Sequence, residues 1–107
     1  MAPGSDPKLP AQTTMIVAIA TWDIHLPDCH SLKEKRSVLK PLTIALRRTL
    51  NVSVAETGQQ DLWQRAEITC AVVGTSRSIV DETLRSADRI VEETDGVRIL
   101  DTATVFR

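Results

Sequence analysis

Apolar residues alternate with a second, more polar set along residues 15–26, and this period of two predicts a β-strand. Because successive side chains of a strand point to opposite faces, we expect the even-numbered positions to face the core. These positions are Ile16, Ala18, Ala20, Trp22, Ile24 and Leu26. Three more strands are predicted by similar runs at residues 52–56, 63–74 and 97–106.

A period of 3.6 residues predicts a helix over residues 31–50 and another that begins near Ser76 or Ser78. Gly96 ends the second helix, since glycine accepts the left-handed backbone of many helix ends. Pro41 lies inside the first helix and removes one backbone hydrogen bond. We expect a bend there and not an end, because the apolar stripe continues beyond Pro41.

The order strand, helix, strand, strand, helix, strand is a doubled split βαβ unit. Right-handed crossovers then place both helices on one face of a four-stranded antiparallel sheet. The sequence therefore predicts an α+β protein with the βαββαβ ferredoxin-like sandwich fold. The opposite, open face of the sheet should carry Val17, Ile19, Thr21, Asp23, Arg65, Glu67, Thr69 and Ala71.

The length of 107 residues fits one domain, which we place at residues 14–107 after a disordered N-terminal tail at residues 1–13. No apolar run approaches the roughly 18 residues of a membrane span, and no secretion signal is apparent, so we expect a cytoplasmic protein with no membrane partner. Cys29 and Cys70 do not make a disulfide framework, and Cys70 lies in an apolar run typical of a buried thiol.

Charge is distributed unevenly although the formal net charge is only -1. Residues 31–50 hold six basic residues and one acidic residue, a local charge of +5. Residues 76–95 hold three arginines and six acidic residues, a local charge of -3. The pattern predicts a basic first helix and an acidic second helix.

The first helix begins with a capping box, Ser31 followed three residues later by Glu34. Lys33, Lys35 and Arg36 lie in its first turns, where the helix dipole disfavours cations by about 0.3 to 1 kcal/mol each. A cationic helix start is typical of a phosphate or other anion site. We therefore expect an anion- or RNA-binding site here, and expect that replacing the three cations by Gln does not lower the melting temperature. The alternative is a solvated charged face.

Trp63 and Arg65 are further candidates for the same site. The ring of Trp63 lies in a polar loop and has the shape to stack on a base, or else it covers the edge of the core. Arg65 either contacts the anion or pairs with Asp23 or Glu67. The open sheet face has no aromatic residue at its centre, which argues against RNA recognition by the sheet.

Signals for catalysis or metal binding are weak. Four metal-capable side chains fall within six residues, but their spacing matches no known ligand pattern. They are His25, Asp28, Cys29 and His30. Asp23 and His25, with Glu67 nearby, form either an acid and base pair or a surface hydrogen-bond group. Glycine-rich phosphate loops and nucleophile motifs are not found, so we expect no cofactor, no metal and a non-catalytic role.

Four short motifs resemble the YlxP-like family of small bacterial proteins, a domain of unknown function. They are DIHLP at residues 23–27, SLKEKRSVLK at 31–40, NVSVAE at 51–56 and QDLWQRA at 60–66. The resemblance implies a ferredoxin-like fold, a cytoplasmic location and genes that neighbour transcription and ribosome-maturation factors. It implies no established activity. Cys29, His30 and residues 57–59 depart from the family pattern.

Together these features predict a non-catalytic accessory protein that contacts RNA or the ribosome-assembly and translation machinery. The residues expected to make the contact are Lys33, Lys35, Arg36, Trp63 and Arg65. The alternative is a homodimeric protein-interaction module that uses the open sheet face. Its apolar residues are Val17, Ile19, Ala71 and Val73.

Overall fold

The computed structural model describes residues 14–107, so the predicted tail at residues 1–13 lies outside the described part of the chain. Six elements follow one another in the predicted order βαββαβ. They are β1 (Ile16–His25), α1 (Leu32–Thr49), β2 (Ser53–Gly58), β3 (Arg65–Gly74), α2 (Arg77–Glu92) and β4 (Arg98–Phe106). The predicted order is confirmed.

The four strands form one antiparallel sheet in the order β2-β3-β1-β4. β1 and β3 are the central strands, and their register places Ala20 beside Cys70 and Trp22 beside Ile68. Both helices pack on the face that carries these side chains, which buries them. The predicted ferredoxin-like α+β sandwich is confirmed, and so is the face of β1 that meets the helices.

The core lies between the sheet and the two helices. Its sheet side consists of the even-numbered residues of β1 and β3, of which Ile16 is only partly buried at the edge. The helices contribute Leu39, Leu42, Leu46, Val80, Ala87 and Val91. The indole nitrogen of Trp22 donates a 2.9 Å hydrogen bond to Oδ1 of Asp88, which satisfies the polar atom of this buried ring and ties β1 to α2.

The bounds of two strands differ from the sequence-based expectations, whereas the continuation of α1 past Pro41 agrees with them. β3 begins at Arg65 instead of residue 63, which leaves Trp63 in the preceding loop. β2 continues to Gly58 through a bulge opposite Glu67. α1 runs through Pro41 without a break, since Leu39 and Leu42 on either side of it are both buried.

Candidate nucleic-acid interface

The start of α1 has the predicted capping geometry. The backbone N–H of Glu34 donates to Oγ of Ser31 at 3.1 Å, and Ser31 has the extended backbone of an N-cap residue. The carboxylate of Glu34 accepts a 2.9 Å hydrogen bond from the N–H of His30, one residue before the cap. Two donors at the helix entrance are thus satisfied by side chains, which fixes where α1 begins.

Replacing Ser31 by Ala should lower the free energy of unfolding by about 0.5 to 2 kcal/mol, because the amide of Glu34 loses its acceptor. Urea unfolding followed by far-UV circular dichroism measures the change. Ser37→Ala is the matched control, since Oγ of Ser37 only bonds the Glu34 carbonyl inside the helix. That substitution should be neutral or slightly stabilising. Equal losses in both variants would contradict the capping role.

Five cations share the outer face of α1, and we call them the basic stripe. They are Lys33, Arg36, Lys40, Arg47 and Arg48, all of them exposed. Steps of three, four and seven residues from Lys33 to Arg47 keep these side chains on one side of the helix. The stripe extends over roughly 22 Å, from a rise of about 1.5 Å per residue.

Hardly any of this positive charge is neutralised within the described part of the chain. None of the three salt bridges among residues 14–107 includes a member of the basic stripe. Arg47 donates to the carbonyl of Val54 at 3.0 Å, which orients its guanidinium without neutralising it. The stripe is therefore a continuous positive surface along one helix.

Lys35 does not belong to this surface, which corrects the expectation that it binds an anion. Its side chain is 3% exposed, and Nζ donates to the carbonyls of Gln59 and Leu62, both at 2.8 Å. Oε2 of Glu56 lies 2.9 Å from the same nitrogen. Because all of these contacts are internal, removing Lys35 together with Lys33 and Arg36 would destabilise the fold, contrary to expectation.

Lys35 holds in place the connection between β2 and β3, residues 59–64, which we call the Trp63 loop. Gln59 at its start has a left-handed backbone with φ of 61°, a conformation that is costly outside glycine. At its end, the carbonyl of Gln64 accepts a 2.9 Å hydrogen bond from Leu26. The loop is thus fixed at both ends beside the start of α1.

Trp63 is presented to solvent by this loop and does not cover the edge of the core. Its side chain is 51% exposed, and the neighbouring Leu62 is 50% exposed. A shallow cavity of about 370 Å³ is lined by the residues from Asp61 to Arg65 around the ring. Arg36 lines a further cleft of about 300 Å³ with Gln60 and Asp61, so the basic stripe adjoins the Trp63 loop.

Arg65 lies apart from the basic stripe, on the open sheet face. Its guanidinium forms a forked pair with Asp23, with distances of 2.6 Å from Nη2 to Oδ2 and 3.3 Å from Nε to Oδ1. Asp23 and Arg65 lie on the adjacent central strands, which explains the contact. The pair with Asp23 that the sequence allowed is therefore present, and it neutralises much of the charge of Arg65.

α2 differs from α1 in that its cations are mixed with acids. Arg77 pairs with Asp81 at 3.2 Å, and its guanidinium lies 3.6 Å from the centre of the Phe106 ring. Arg85 and Arg89 alternate with acidic residues along the same helix. Of the two described helices, α1 therefore has the uninterrupted positive face, whereas α2 carries three arginines and four acidic residues.

The metal-capable residues near the end of β1 do not converge. Cys29 is buried in the core, where burial and then the nearby carboxylates of Glu34 and Asp28 raise the pKa of its thiol. Burial raises the pKa of Cys70 to about 11. Among residues 14–107 no three His, Cys, Asp or Glu side chains lie close enough together to hold a metal ion. Both are free thiols buried in the core.

Sequence reasoning missed the internal role of Lys35, although one signal for it was present. Lys35, Leu39, Leu42 and Leu46 follow steps of four, three and four residues, so the lysine belongs to the apolar face of α1. The burial of Cys29 was missed as well, because it depends on the path of the loop before Ser31.

The described helices include none long and apolar enough to cross a membrane. The βαββαβ order and the helices on one sheet face place the protein in the class of ferredoxin-like α+β sandwiches. The chain belongs to a family described as Protein of unknown function (DUF503), whose model matches residues 17–104. The YlxP-like resemblance is thereby confirmed.

A curated relative agrees with the family assignment, and a solved structure agrees with the fold. The chain is 37% identical over 70 residues to the uncharacterized protein YlxP of Bacillus subtilis (strain 168), covering 65% of this chain and 76% of YlxP. The de novo designed protein Foldit4 matches with a TM-score of 0.51 at 12% identity, over 85% of this chain and 96% of that one. This second likeness concerns the fold alone.

Proposed function

We propose that this protein is a non-catalytic RNA-binding accessory protein that contacts the RNA backbone through the basic stripe of α1. The observation that carries the proposal is the row of exposed cations on one helix face, with no acidic partner among the salt bridges of residues 14–107. Phosphates compete well for such cations, because each contact releases a condensed counterion from the nucleic acid.

The position of the stripe favours RNA contact by the helix over contact by the sheet. The open sheet face carries a row of carboxylates across three neighbouring strands; one of them, Asp23, is paired with Arg65, while the other two take part in none of the salt bridges of residues 14–107 and disfavour phosphate. The row consists of Asp101, Asp23 and Glu67. In the helix layer, α1 has the single acidic residue Glu34, and the other acids lie on α2, on the far side from β2. RNA would therefore approach along α1.

The Trp63 loop gives this surface a stacking group. An exposed tryptophan beside a basic helix suits an unpaired base, since every base has a face on which an aromatic ring can stack. Lys35 acts here as a positioning residue, because its Nζ donates to the carbonyls of Gln59 and Leu62, both of which belong to the loop. We propose Lys33, Arg36 and Lys40 as phosphate contacts and Trp63 as the base contact.

The gene neighbourhood implied by the family resemblance makes ribosomal RNA the first natural RNA to examine. The role proposed on that basis is association with ribosome assembly or translation, in the cytoplasm. Fold alone does not assign such a role, so the proposal depends on the charge pattern and on Trp63.

Replacing Lys33, Arg36 and Lys40 together by Gln should weaken RNA binding at least about tenfold and lower the slope of log affinity against log salt by about 2 to 3. The probe is a labelled single-stranded RNA of mixed sequence, measured by fluorescence anisotropy at several salt concentrations. Trp63→Ala should weaken binding to this strand but not to a duplex of the same sequence, because paired bases are not free to stack.

The control removes the same number of positive charges elsewhere, by changing Arg85, Arg89 and Arg98 to Gln. All three are exposed and lie outside α1. This control should retain most of the affinity. If both triple variants bind equally, net charge and not the basic stripe determines affinity, and the proposed site is wrong.

The alternative, a protein-interaction module on the open sheet face, has weaker support. Val73 there is 58% exposed, but the apolar area reaches only to the middle of the sheet, where Thr21 and Thr69 are hydrogen-bonded at 3.1 Å. The carboxylate row occupies the other end. A partner covering the whole face would have to bury these acids, at a considerable desolvation cost.

A further inference from the structure

β4 is an edge strand whose outer side carries unpaired main-chain groups. Its inner side pairs with β1, and at its end Val17 and Arg107 exchange two hydrogen bonds of 2.7 and 3.4 Å. The N–H and C=O groups of successive residues in an antiparallel strand point alternately to the two neighbouring sides. Because those of Arg107 point to β1, those of Thr102, Thr104 and Phe106 point outward. Such a row is a template for another extended strand.

The opposite edge of the sheet is protected, which makes the open edge of β4 significant. On β2, side chains of Arg47 and Gln60 donate to the carbonyls of Val54 and Glu56, at 3.0 and 3.2 Å. β2 is also short and ends in a bulge. On β4, the one comparable contact among the described residues is a 2.9 Å hydrogen bond from the Thr102 N–H to the carboxylate of Asp101.

We propose that β4 pairs antiparallel with β4 of a second copy of this chain, about a twofold axis at Thr104. Two residues that face each other across an antiparallel pair either both direct their main-chain groups towards the other strand or both direct them away from it. Residues of the same strand that share this direction are an even number of positions apart. A twofold axis must therefore pass through a residue and not between two residues. An axis at Thr104 places Thr102 opposite Phe106 and Asp101 opposite Arg107. By symmetry this charge pair forms twice.

Charge complementarity selects this axis over its neighbours. An axis at Ala103 would place Asp101 opposite Val105, and an axis at Val105 would place Arg107 opposite Ala103. With the axis at Thr104, the Asp101 carboxylate leaves the Thr102 N–H for the partner's Arg107, and the N–H then pairs with the partner strand. Opposite charges directly across two strands stabilise the pairing, whereas like charges oppose it.

Pairing would also complete a cleft that is walled on one side only. This cleft of about 610 Å³ lies between α2 and β4, with the alternating residues Thr102 and Thr104 exposed on its floor. In the proposed dimer the two four-stranded sheets become continuous, and α2 of the second copy forms the missing wall. The basic stripes lie on α1, which packs beside β2, so they remain accessible.

The test measures the mass of the full chain by light scattering and sedimentation velocity over a wide range of protein concentration. The wild type should form a dimer. Thr104→Pro removes one outward N–H while leaving the β1 pairing intact, as proline is tolerated at such edge positions, and should shift the chain to monomer. Val73→Lys, on the open face and away from the edge, should leave the dimer unchanged.

Charge reversal provides a second measurement that does not depend on tolerance of proline. Asp101→Arg and Arg107→Asp, each alone, should weaken dimerisation about tenfold, since each places like charges opposite one another twice. The double variant Asp101→Arg/Arg107→Asp should restore the affinity. A monomeric wild type overturns the proposal, as does a double variant no better than the single ones. A dimer lost in Val73→Lys but kept in Thr104→Pro would assign the contact to the open sheet face instead.

Discussion

Replacing Lys35 by Met is expected to lower the free energy of unfolding by about 3 kcal/mol, within the range for removing one partner of a buried ion pair. The methionine fills a similar volume but donates nothing. The carbonyls of Gln59 and Leu62 lose their donor, and Glu56, whose side chain is 30% exposed, loses its counterion. The measurement is urea unfolding followed by far-UV circular dichroism.

Lys33→Met is the matched control, because it makes the same chemical change two residues earlier, on the exposed side of α1. It should change the stability by no more than about 0.5 kcal/mol. The double variant Lys35→Met/Glu56→Leu should recover part of the loss, since it removes the charge that the single variant leaves unpaired. Equal effects of the two Lys→Met changes would mean that Lys35 is a surface residue and that the contacts described for it do not stabilise the fold.

Lys35→Met also tests whether Lys35 positions the Trp63 loop. If Lys35 positions the Trp63 loop, Lys35→Met should make residues 59–64 more susceptible to limited proteolysis than the rest of the chain. The strained backbone of Gln59 points in the same direction, because a left-handed residue other than glycine persists only where its surroundings hold it.

The regular elements were predictable because their physical signals are local and repeated. β1 alternates along its whole length, and α1 combines a capping box with a long apolar stripe, so each element is specified by many residues at once. The fold then followed from element order and crossover handedness. The continuation of α1 past Pro41 was predictable for the same reason, since a single breaker does not outweigh buried residues on both sides of it.

The candidate interface was less predictable, because it depends on contacts between segments distant in sequence. The sequence does not distinguish Lys35 from the nearby cations Lys33 and Arg36. In the structure, however, Lys35 points inward and donates to the carbonyls of Gln59 and Leu62, which are 24 and 27 residues away. The exposure of Trp63 depends on the path of the β2–β3 loop, for which neither periodicity nor composition gives a rule. For Arg65 the sequence allows an anion contact or an ion pair with Asp23 or Glu67, and only the structure shows that the pair with Asp23 forms.

Replacing Ile68 by Ala is expected to cost about 2 to 5 kcal/mol, because a fully buried branched side chain is cut back to one methyl group. Ile68 lies on the central strand β3, with Trp22 beside it on β1 and Glu56 on β2. Since these backbones are fixed by hydrogen bonds on both sides, the sheet cannot move in to fill the cavity, and the loss should fall in the upper part of the range.

A graded series makes this expectation sharper. Ile68→Val removes one methylene group and should cost about 0.5 to 1.5 kcal/mol. Ile79→Ala makes the full truncation at a residue of α2 that is 55% exposed, and it should change stability much less, since little buried surface is lost. All three variants are measured by urea unfolding. Their m-values should equal that of the wild type, so that a shift of the midpoint reports a change in stability. A loss for Ile79→Ala as large as for Ile68→Ala would mean that the core does not lie between the helices and this face of the sheet.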